Sequence, residues 1–343
     1  MSYAALPTLR TPRLTLRPLE HSDADAILDG VGNYDVSRWL GGLPYPYARD
    51  DALEFIERVH RQSLMIWAIT EGGALLGVVG LDEELGYWLA RPGWGKGYGF
   101  EAAHAAVAHW FANPENGDLV SGHYDENKRS RRVLSSLGFK ITGHSPRFAR
   151  VLAQAVPGTD VVLTRDRWQA RQDFTLYTPR LTIRPIEDRD AGAFARLTVS
   201  DITRMLSRLK TGMTEAEAQA NLPRHKWKGL LHFTLAIEYR GQLVGTIGVG
   251  AGPASVSYFL DPALWRQGVM TEALSATLPE LFERFPIAQI FADHFEDNPA
   301  SGAILRKLGF AQTGQRMATS MARVEPAPLI TYALNRDDLK VPV

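Results

Sequence analysis

The sequence predicts a layered α/β (α+β) fold that is present twice in tandem, and three observations support this prediction. The chain has 343 residues, which is enough for two domains of ordinary size. A run of eight residues near the start returns almost unchanged in the middle of the chain. Within each half, short stretches of alternating apolar and polar residues are interspersed with stretches of helical periodicity. Two copies of one domain of strands and helices explain all three observations.

The internal repeat extends along both halves of the chain. Residues Thr11–Pro18 match Thr178–Pro185 with a single change, at an offset of 178 − 11 = 167. Farther along, Gly97 matches Gly268 at an offset of 268 − 97 = 171. An offset that drifts so little along a whole domain indicates a tandem duplication. We expect the first copy to occupy residues 1–172 and the second copy residues 173–343.

Each copy is predicted to contain the same elements in the same order. Alternation of apolar and polar residues indicates strands, and Glu71-Gly72-Gly73 between two of them is typical of a hairpin turn. Apolar residues at i, i+3, i+7 and i+10 from Phe100 indicate an amphipathic helix. In the first copy the predicted elements are strand Leu14–Arg17, helices Ala24–Gly30 and Asp51–Arg61, strands Ile66–Thr70, Leu75–Leu81 and Leu85–Leu89, a helix from about Gly97, strand Leu119–Tyr124, helix Lys128–Leu137, and strands near Phe139–Gly143 and Asp160–Thr164.

Composition excludes several classes of function. The 38 basic and 38 acidic residues give a formal net charge of zero, which argues against a broad nucleic-acid or acidic-membrane footprint. Cysteine is absent, so disulfides, cysteine-type zinc sites and a thiol nucleophile are excluded together. No apolar stretch approaches the ~20 residues of a membrane span, and no apolar signal segment is visible. We therefore expect a cytoplasmic protein with no metal, no nucleic-acid partner and no membrane partner.

A glycine-rich segment, Trp94–Glu101, follows a predicted strand and opens a predicted helix. Glycines let consecutive backbone N–H groups point at one anion, and a helix start adds partial positive charge. The segment therefore predicts a cradle for a pyrophosphate. The alternative is a tight turn that binds nothing. The spacing Gly95-x-Gly97-x-Gly99 differs from the dinucleotide-binding GxGxxG loop.

A second segment begins a helix with Asn127 in the first copy and Asn298 in the second. Because Pro299 takes the first helical position, Asn298 is predicted to be the N-cap, and Asn127 to cap the matching helix. Each helix is predicted to end at the glycine of a Leu-Gly-Phe segment, where Gly138 stands in the first copy. A well-capped helix is part of any interpretation of this segment.

In this order, the two segments resemble those of the GNAT superfamily of acetyltransferases, and they are most similar to its Rim-type branch. That branch acetylates protein N-termini and, in other members, small amines. The resemblance covers nearly the whole chain twice and includes the opening Thr-Pro-Arg-Leu motif. Two departures are Trp94 at the start of the cradle, where Gln or Arg is common, and Met270, where Gly or Ala is usual. The Met270 side chain must turn into the helix packing to leave the second cradle open.

The resemblance implies a mixed, mostly antiparallel twisted sheet in each copy, flanked by helices, with splayed fourth and fifth strands. It implies that acetyl-coenzyme A, as co-substrate, lies beside the fourth strand, Leu85–Leu89, where backbone N–H groups polarise the thioester. Transfer would be direct, which fits a chain without cysteine. The implied cofactor-binding residues are Leu89, Arg91, Trp94, Gly95, Lys96, Gly97, Tyr98, Gly99, Asn127, Arg129 and Arg132 in the first copy, and Gln267, Gly268, Met270 and Asn298 in the second.

A basic run opens the helix beside the first cradle. Its four members are Lys128, Arg129, Arg131 and Arg132. Such a run is usually a solvated face, but here it could also hold the 3′-phosphate of coenzyme A. The second copy has no basic residue at these positions, so we expect the first copy to bind the cofactor more tightly.

Candidate acid–base residues follow from the need to deprotonate an amine and to protonate a thiolate. Glu84, at the mouth of the fourth strand, is the first candidate for the base, with Glu83 as a spare. The alternative for both is a solvated turn carboxylate. The second copy has Ala254 and Ser255 there, so its base, if it has one, lies elsewhere.

Two further pairs occupy matching places in the two copies. Ser130 and Ser301 match the family serine that can protonate the leaving thiolate, and the alternative is a first-turn helix serine. His123 and His294 lie on the fifth strand in both copies. Their pKa would suit proton relay, but a strand histidine is more often structural.

The acceptor is expected to be a small-molecule or peptide amine, and its identity stays open. Loop aromatics at Trp39, Tyr45 and Tyr47 lie where the family often builds its acceptor pocket, although loop aromatics usually only pack. A monomer and a homodimer both remain open. The first rival is an acyl-coenzyme A sensor or scaffold without turnover in one or both copies. The second rival is a nucleotide-dependent enzyme that uses the glycine loop.

Overall fold

The computed structural model describes residues 6–207 and 209–341. The chain divides into two compact units, of which the first ends at Arg171 and the second begins at Gln172. They are called domain 1 and domain 2 below. The outermost residues of the two expected copies, 1–5 and 342–343, lie outside the described residues.

Domain 1 contains eight strands and six α-helices among its described residues. The strands are β1 (Leu9–Arg10), β2 (Thr15–Pro18), β3 (Ile66–Glu71), β4 (Ala74–Leu81), β5 (Leu85–Leu89), β6 (Leu119–Tyr124), β7 (Lys140–Ala149) and β8 (Gln154–Leu163). The helices are α1 (Ala24–Val31), α2 (Tyr34–Ser37), α3 (Arg49–Gln62), α4 (Tyr98–Ala112), α5 (Lys128–Leu137) and α6 (Arg165–Gln172), whose last residue already belongs to the second compact unit.

The strands of domain 1 form two antiparallel sheets. One sheet has the order β1-β2-β3-β4-β5 and the other β6-β8-β7. Strands β5 and β6 thus belong to different sheets, although the Ser121 hydroxyl donates to the Leu85 carbonyl at 2.7 Å. The two strands meet near the beginning of β5 and separate towards its end. We call this divergence the fork.

Domain 2 repeats the arrangement with eight strands and five α-helices among its described residues. The strands are β9 (Leu176–Tyr177), β10 (Leu181–Pro185), β11 (Phe233–Tyr239), β12 (Gln242–Gly250), β13 (Ser255–Leu260), β14 (Gln289–Phe295), β15 (Ala311–Ala318) and β16 (Ala327–Asn335). The helices are α7 (Ala191–Arg196), α8 (Ser200–Thr203), α9 (Glu215–Asn221), α10 (Val269–Arg284) and α11 (Pro299–Lys307).

The strands of domain 2 form one sheet, with the order β15-β16-β14-β13-β12-β11-β10-β9. Strands β13 and β14 are parallel and pair at a single position, Ser255 with Phe291, whereas all other neighbours in this sheet are antiparallel. The fork is therefore present here too. The predicted fold, a mixed and mostly antiparallel sheet with helices and a splayed pair of strands, is confirmed.

Sequence and structure differ most in the last hairpin of domain 1. The predicted strands near 139–143 and 160–164 are the ends of two ten-residue strands, β7 and β8. Much of β7 is exposed, and Pro146 lies opposite Pro157 in the hairpin. Sequence patterns detect strands that alternate between buried apolar and exposed polar residues. An exposed strand that contains proline lacks this alternation, so its full length is not predicted.

The cores form because the predicted apolar positions face inward. In domain 1, Trp67 and Ile69 on β3 and Leu16 on β2 are fully buried. Helices α1 and α3 cover one side of this sheet through Ile27 and Ile56. Burying each such side chain contributes about 1.5–3 kcal/mol, so the sheet is a rigid base for the fork.

Helix α4 carries a buried histidine, His104, and its titration makes the stability of domain 1 depend on pH. The His104 ring packs against Trp168 with 4.9 Å between ring centroids. Burial, with a smaller contribution from Arg171, lowers the pKa of His104 to about 4, whereas an unfolded histidine titrates near 6.5. The stability that the neutral ring contributes is therefore complete above about pH 6.5 and is lost as the pH falls towards 4.

We expect the free energy of unfolding of domain 1 to fall by about 2 kcal/mol between pH 7 and pH 5 because of His104. The variant His104→Phe removes the titrating group and should lose this part of the pH dependence. Urea unfolding of the full chain at both pH values, followed by tryptophan fluorescence, measures the effect. An unchanged pH dependence in the variant would contradict the assignment.

Candidate functional site

The backbone of β5 is available for pairing along the fork. Strand β5 is the last strand of its sheet, and Ala90 just beyond it donates its N–H to the Leu76 carbonyl at 2.8 Å. In an antiparallel pair, residues that exchange hydrogen bonds alternate with residues that do not. Leu89 lies opposite Gly77 at a position without exchange, so its N–H faces the fork. Of the backbone N–H groups at this end of β5, the one at Ala90 is therefore used by β4, and the one at Leu89 is available to a ligand.

A loop of glycines connects the end of β5 to helix α4. We call residues Trp94–Gly99 the cradle of domain 1. Gly95 and Gly97 have φ values of 75° and 79°, which favour glycine, and Gly97 is the N-cap of α4. The first N–H groups of this 15-residue helix have no partner within the helix and can bind an anion. Trp94 fixes the loop to β5, because its indole N–H donates to the Leu89 carbonyl at 2.7 Å.

The other cradle residues line the start of the helix. Lys96 lies over the Tyr98 ring, with 5.7 Å from Nζ to the ring centroid. The Tyr98 hydroxyl donates to Glu71 and is therefore occupied. Gly99 has ordinary backbone angles, and a Cβ atom there would meet Leu89 at 3.6 Å, a normal contact distance. A side chain at this position would point towards β5.

A buried carboxylate holds the cradle of domain 1 in place. Glu101, in the first turn of α4, accepts hydrogen bonds from the Thr11 hydroxyl at 2.5 Å, the Arg13 N–H at 3.0 Å and Arg13 Nε at 2.7 Å. Arg13 also donates through Nη1 to the Lys96 carbonyl, inside the cradle, at 2.8 Å. We call Thr11, Arg13 and Glu101 the clamp. The Thr-Pro-Arg motif near the start of the chain thus supplies the two residues that hold Glu101 and the cradle together.

The same clamp occurs in domain 2. Glu272 accepts from the Thr178 hydroxyl at 2.6 Å, the Arg180 N–H at 3.1 Å and Arg180 Nε at 2.6 Å. Arg180 Nη1 donates to the Gln267 carbonyl at 3.0 Å. Although burial opposes the shift, the hydrogen bonds from Thr178 and Arg180 lower the pKa of Glu272. The sequence revealed the repeated Thr-Pro-Arg motif, but its contact with the glutamate was not predicted.

The cradle of domain 2, residues Trp265–Met270, has a different lining. Arg266 takes the place of Gly95 and adopts a positive φ of 61°, which costs a non-glycine residue about 1–2 kcal/mol. Gly268 has a φ of 77° and caps α10, as Gly97 caps α4. Met270 stands where domain 1 has Gly99 and is 5% exposed, so it lies within the packing as expected.

A serine and a tyrosine meet on the helix side of the fork in both domains. Asn127 caps α5 by accepting from the Ser130 N–H at 3.1 Å, as predicted, and Asn298 caps α11 in the same way at 3.3 Å. The Ser130 hydroxyl lies 3.1 Å from the Tyr87 hydroxyl, and the Ser301 hydroxyl lies 2.7 Å from that of Tyr258.

The tyrosine hydroxyls of these pairs stay protonated, so each can donate a hydrogen bond to the serine hydroxyl or accept one from it. Burial raises the pKa of Tyr87 and of Tyr258. Sequence reasoning missed both tyrosines, although their offset of 258 − 87 = 171 equals that of the serines.

The two strand histidines are buried and hydrogen-bonded to the backbone. His123 Nδ1 lies 2.9 Å from the Tyr124 carbonyl, and His294 Nδ1 lies 2.8 Å from the Phe295 carbonyl. His294 Nε2 also lies 3.3 Å from the Tyr332 hydroxyl. These contacts fit the structural alternative better than a proton relay.

Glu84 lies on the other face of the fork, in a charged cluster. Glu84 directly precedes β5 and contacts Arg147 on β7, whereas the Tyr87 hydroxyl contacts Ser130 on α5. The Glu84 carboxylate lies 3.3 Å from Arg147 Nη1, and Arg147 Nη2 lies 2.7 Å from Asp160. The equivalent residues of domain 2 are Ser255, Ala318 and Thr331, at the offset of 171, so the cluster is specific to domain 1. Glu83 is exposed.

The basic run at the start of α5 is exposed beside the cradle. None of the four side chains takes part in a salt bridge among the described residues. The Arg129 guanidinium lies over the Trp94 ring, 4.1 Å from its centroid, which places one positive charge next to the cradle. The Arg91 guanidinium lies 6.0 Å from the centroid of the same ring, and its charge is paired with Asp35, which lies 2.8 Å from Nη1.

The loop aromatics that were candidates for an acceptor pocket lie in two environments. Tyr47 is buried in the core cluster of α1 and α3. Trp39 packs against the Arg38 guanidinium at 4.7 Å. Tyr45 is 48% exposed and meets the Tyr34 ring edge-on. Because the Arg38 guanidinium also lies 5.6 Å from the Tyr34 ring centroid, Trp39 and Tyr45 are connected through Arg38 and Tyr34, whereas Tyr47 belongs to the core.

In domain 2, a guanidinium covers the last residue of β14, at the end of the fork where β13 and β14 have separated. Arg323 lies over the Phe295 ring, 4.2 Å from its centroid, and pairs with Asp297 at 2.7 Å. It also donates through Nε to the Arg204 carbonyl at 2.8 Å. Phe295 takes the place of Tyr124 in domain 1.

Two further observations concern metals and membranes. Over residues 6–207 and 209–341, no group of three or more His, Asp or Glu side chains is arranged to hold a metal ion. In the same part of the chain, no helix is both long and apolar enough to cross a bilayer.

Comparisons with known proteins identify the family. The sequence model described as "Acetyltransferase (GNAT) domain" matches residues 13–140 and again residues 180–311. The two matches cover most of the chain and include both cradles, together with the arginine and glutamate of each clamp. The chain therefore belongs to the GNAT acetyltransferase family and is an enzyme of the N-acetyltransferase class.

Individual relatives are similar to about half of the chain. An uncharacterised N-acetyltransferase, p20, of Bacillus licheniformis is 28% identical over 151 residues, 40% of this chain and 85% of that protein. The uncharacterised N-acetyltransferase YoaA of Bacillus subtilis is 32% identical over 152 residues, 40% of this chain and 84% of that protein. The solved structure of Mycobacterium smegmatis RimJ, in complex with a coenzyme A disulfide, is 22% identical, with a TM-score of 0.42. It covers 49% of this chain and 88% of its own.

We expect Glu101→Ala to destabilise domain 1 by about 3 kcal/mol, because it leaves the Arg13 charge and the Thr11 hydroxyl without their buried partner. Glu272→Ala should have a similar effect on domain 2. Urea unfolding of the full chain measures both effects. Glu57→Ala, on the exposed face of α3, is the control and should change stability by less than about 0.5 kcal/mol. A Glu101 variant as stable as this control would show that the clamp is not structural.

Proposed function

We propose that domain 1 transfers an acetyl group from acetyl-coenzyme A directly to a primary amine, either a protein N-terminus or a small amine. The observation that carries this proposal is the fork: the free edge of β5 ends in the glycine cradle at the start of α4. One extended chain with a pyrophosphate at its end fits such a groove. Membership of the GNAT family and the resemblance to its Rim-type branch support the same reaction.

The residues of domain 1 suit coenzyme A. Gly95 has open space where a Cβ would stand, so nothing obstructs a phosphate at the cradle. The first N–H groups of α4 would hold the pyrophosphate, and Arg129 and Arg132 would bind the 3′-phosphate. The free edge of β5 would hydrogen-bond the pantetheine arm as a strand does. When bound, acetyl-coenzyme A supplies the activated acetyl group.

The chain's own groups would then assist the transfer. The Leu89 N–H, which faces the fork, would donate to the thioester carbonyl oxygen and favour attack by the amine. The new C–N bond forms as the C–S bond breaks, and the amine proton passes to a base while the thiolate takes up a proton. Ser130, hydrogen-bonded to Tyr87, is placed to give that proton.

Glu84 is the candidate base, acting directly or through water. It lies on the face of the fork opposite Ser130, so the donor of the acetyl group and the acceptor would approach from opposite sides. Its contact with Arg147 holds the carboxylate at the beginning of β5.

Domain 2 fits a second function better, that of binding acyl-coenzyme A without turnover. Its cradle and its Ser301–Tyr258 pair are retained, but it has Ser255 where Glu84 stands. Arg323 and Phe295 occupy the end of the fork where an acceptor would enter. We therefore assign transfer to domain 1 and only cofactor binding to domain 2.

Ser130→Ala should lower kcat by about 10²–10⁴-fold with little change in the affinity for acetyl-coenzyme A, because the serine acts on the leaving group. Ser301→Ala is the matched control in domain 2 and should leave kcat near the wild-type value. Steady-state kinetics with a panel of peptides and amines measures both. Loss of activity in the Ser301 variant alone would move the reaction to domain 2.

Calorimetric titration with coenzyme A should show a tight binding event followed by a weaker one. Arg129→Ala combined with Arg132→Ala should weaken only the tight event, by tens-fold, since charge-assisted contacts contribute about 1–3 kcal/mol. Circular dichroism verifies that the variant is folded. A single event that survives the double change would show that domain 2 holds the functional site.

A further inference from the structure

An arginine just after α2 of domain 1 carries a positive charge that no acidic side chain of the described residues balances. Arg38 is partly buried, and its Nε is inaccessible and makes no hydrogen bond. Nη1 and Nη2 also have no hydrogen-bond partner among the described residues, but unlike Nε they are not inaccessible. Because partly buried charges and their N–H groups are usually paired, a guanidinium with free Nη atoms points to a missing anion.

Two aromatic rings fix the direction of this guanidinium. Its Cζ lies 4.7 Å from the centroid of the Trp39 ring and 5.6 Å from that of Tyr34. The Tyr34 ring is itself supported by Tyr45, which meets it edge-on with 6.5 Å between centroids. A guanidinium that is already held by aromatic rings loses little conformational freedom when it binds a ligand. The free end of Arg38 is therefore prepared for binding.

The segment that carries Arg38 connects the two arms of the fork at its open end. On one side, Asp35 pairs at 2.8 Å with Arg91, which lies just beyond the end of β5. On the other side, a Cβ on Gly41 would lie 3.2 Å from the Tyr124 hydroxyl, at the end of β6. Arg38 stands between these two contacts in the chain. It thus belongs to the segment that an acceptor passes when it enters the fork.

Domain 2 has an arginine at the matching place, but without the aromatic rings. Arg38 and Arg204 are each the C-cap of a four-residue helix, and they are separated by an offset of 204 − 38 = 166. Ser200 and Met205 take the places of the two aromatic residues, and Arg204 is exposed. The prepared guanidinium is therefore specific to domain 1, the domain to which transfer is assigned.

The chemistry of this guanidinium favours a carboxylate. A guanidinium is always charged, and its two Nη groups lie in one plane at the spacing of the two carboxylate oxygens. The nearest acidic residue in the chain, Asp35, is already paired with Arg91 and does not balance the charge of Arg38. A neutral amide offers one oxygen without a charge, and a second ammonium group would be repelled.

We propose that Arg38 forms an anion subsite at the open end of the domain 1 fork, and that domain 1 prefers amine acceptors that carry a carboxylate. The proposal rests on the proposed function of domain 1 and specifies the class of its acceptor. The carboxylate would accept hydrogen bonds from Nη1 and Nη2 while the amine of the same molecule attacks the thioester beside β5. Acceptors of this class are acidic peptides and small amino-carboxylates, and polyamines are outside it.

The test uses the full chain and pairs of acceptors that differ only in one charge. One pair is a tripeptide amide with glutamate or with glutamine at its second position, and the other pair is ε-aminocaproate and its amide. In both pairs the carboxylate is several bonds from the amine, so the amine pKa stays nearly the same. Release of the coenzyme A thiol is followed with a thiol-reactive chromophore, which the protein does not consume because it contains no cysteine.

We expect kcat/KM for the acidic member of at least one pair to exceed that of its amide about 30-fold, as a charge-assisted bidentate contact allows. Arg38→Gln should bring this ratio close to one. Arg38→Lys should keep only part of it, because an ammonium is a point charge without the planar pair of donors. Arg204→Gln is the matched control in domain 2 and should keep the wild-type ratio.

A second variant tests the aromatic support without changing any charge. Tyr34 is 44% exposed, so Tyr34→Leu should be folded, and it should lower the acidic-to-neutral ratio by a smaller factor than Arg38→Gln. Circular dichroism verifies the folding of each variant. If Arg38→Gln does not fold, the wild-type ratio and the Tyr34 variant still decide the matter. Calorimetry with coenzyme A should give the same affinity for wild type and Arg38→Gln.

Four outcomes would contradict the proposal in distinguishable ways. If no acceptor releases thiol, the proposed function fails together with the subsite. If the acidic and neutral members of both pairs react equally well with the wild type, acetyl transfer stands and the subsite is wrong. If the acidic preference survives Arg38→Gln, another cation recognises the carboxylate. If Arg38→Gln weakens the binding of coenzyme A, the guanidinium binds the cofactor and not the acceptor.

Discussion

The cradle of each domain depends on one carboxylate in the first turn of the following helix, which is buried in domain 1 and partly buried in domain 2. Glu101 joins the N-terminal Thr-Pro-Arg segment to the first turn of α4, and Arg13 carries the connection into the cradle at the Lys96 carbonyl. A cradle that binds through backbone N–H groups must have its φ and ψ angles fixed before the ligand arrives. The clamp fixes these angles, because it ties the cradle to the segment between β1 and β2. Because Glu272 makes the same contacts, domain 2 keeps a cradle even though other parts of its fork have changed.

The two sides of the fork perform different tasks because a strand presents its side chains alternately. On the helix side, Ser130 meets Tyr87 near the end of the groove that suits the cofactor. On the opposite side, Glu84 and Arg147 create a charged surface. Domain 2 has the serine–tyrosine pair of the first side but not the charged residues of the second. This difference between the domains follows from single positions on β5, β6 and their neighbours.

Much of this architecture could be predicted from sequence. The duplication, most strands and helices, both cradles and the asparagine caps follow from local patterns, because glycines, caps and alternation act over short distances. The long hairpin of β7 and β8 could not be predicted, since its solvated face and Pro146 remove the pattern. The contacts of Arg147 and the Tyr87–Ser130 pair join residues far apart in sequence, which no local pattern reveals. The one signal that could have identified Tyr87 and Tyr258 is that they are separated by the same offset as the two serines.

The position of Arg323 has a consequence for the history of the chain. Its guanidinium stacks on Phe295, pairs with Asp297 and bonds the Arg204 carbonyl, so three separate contacts hold it in the fork of domain 2. Restoring a hydroxyl at residue 295 alone would place it beneath this guanidinium, and removing Arg323 alone would leave Asp297 without its partner and Phe295 uncovered. Each single step disturbs contacts that the other residues make. The end of β14 is therefore difficult to convert into the arrangement of domain 1 one substitution at a time.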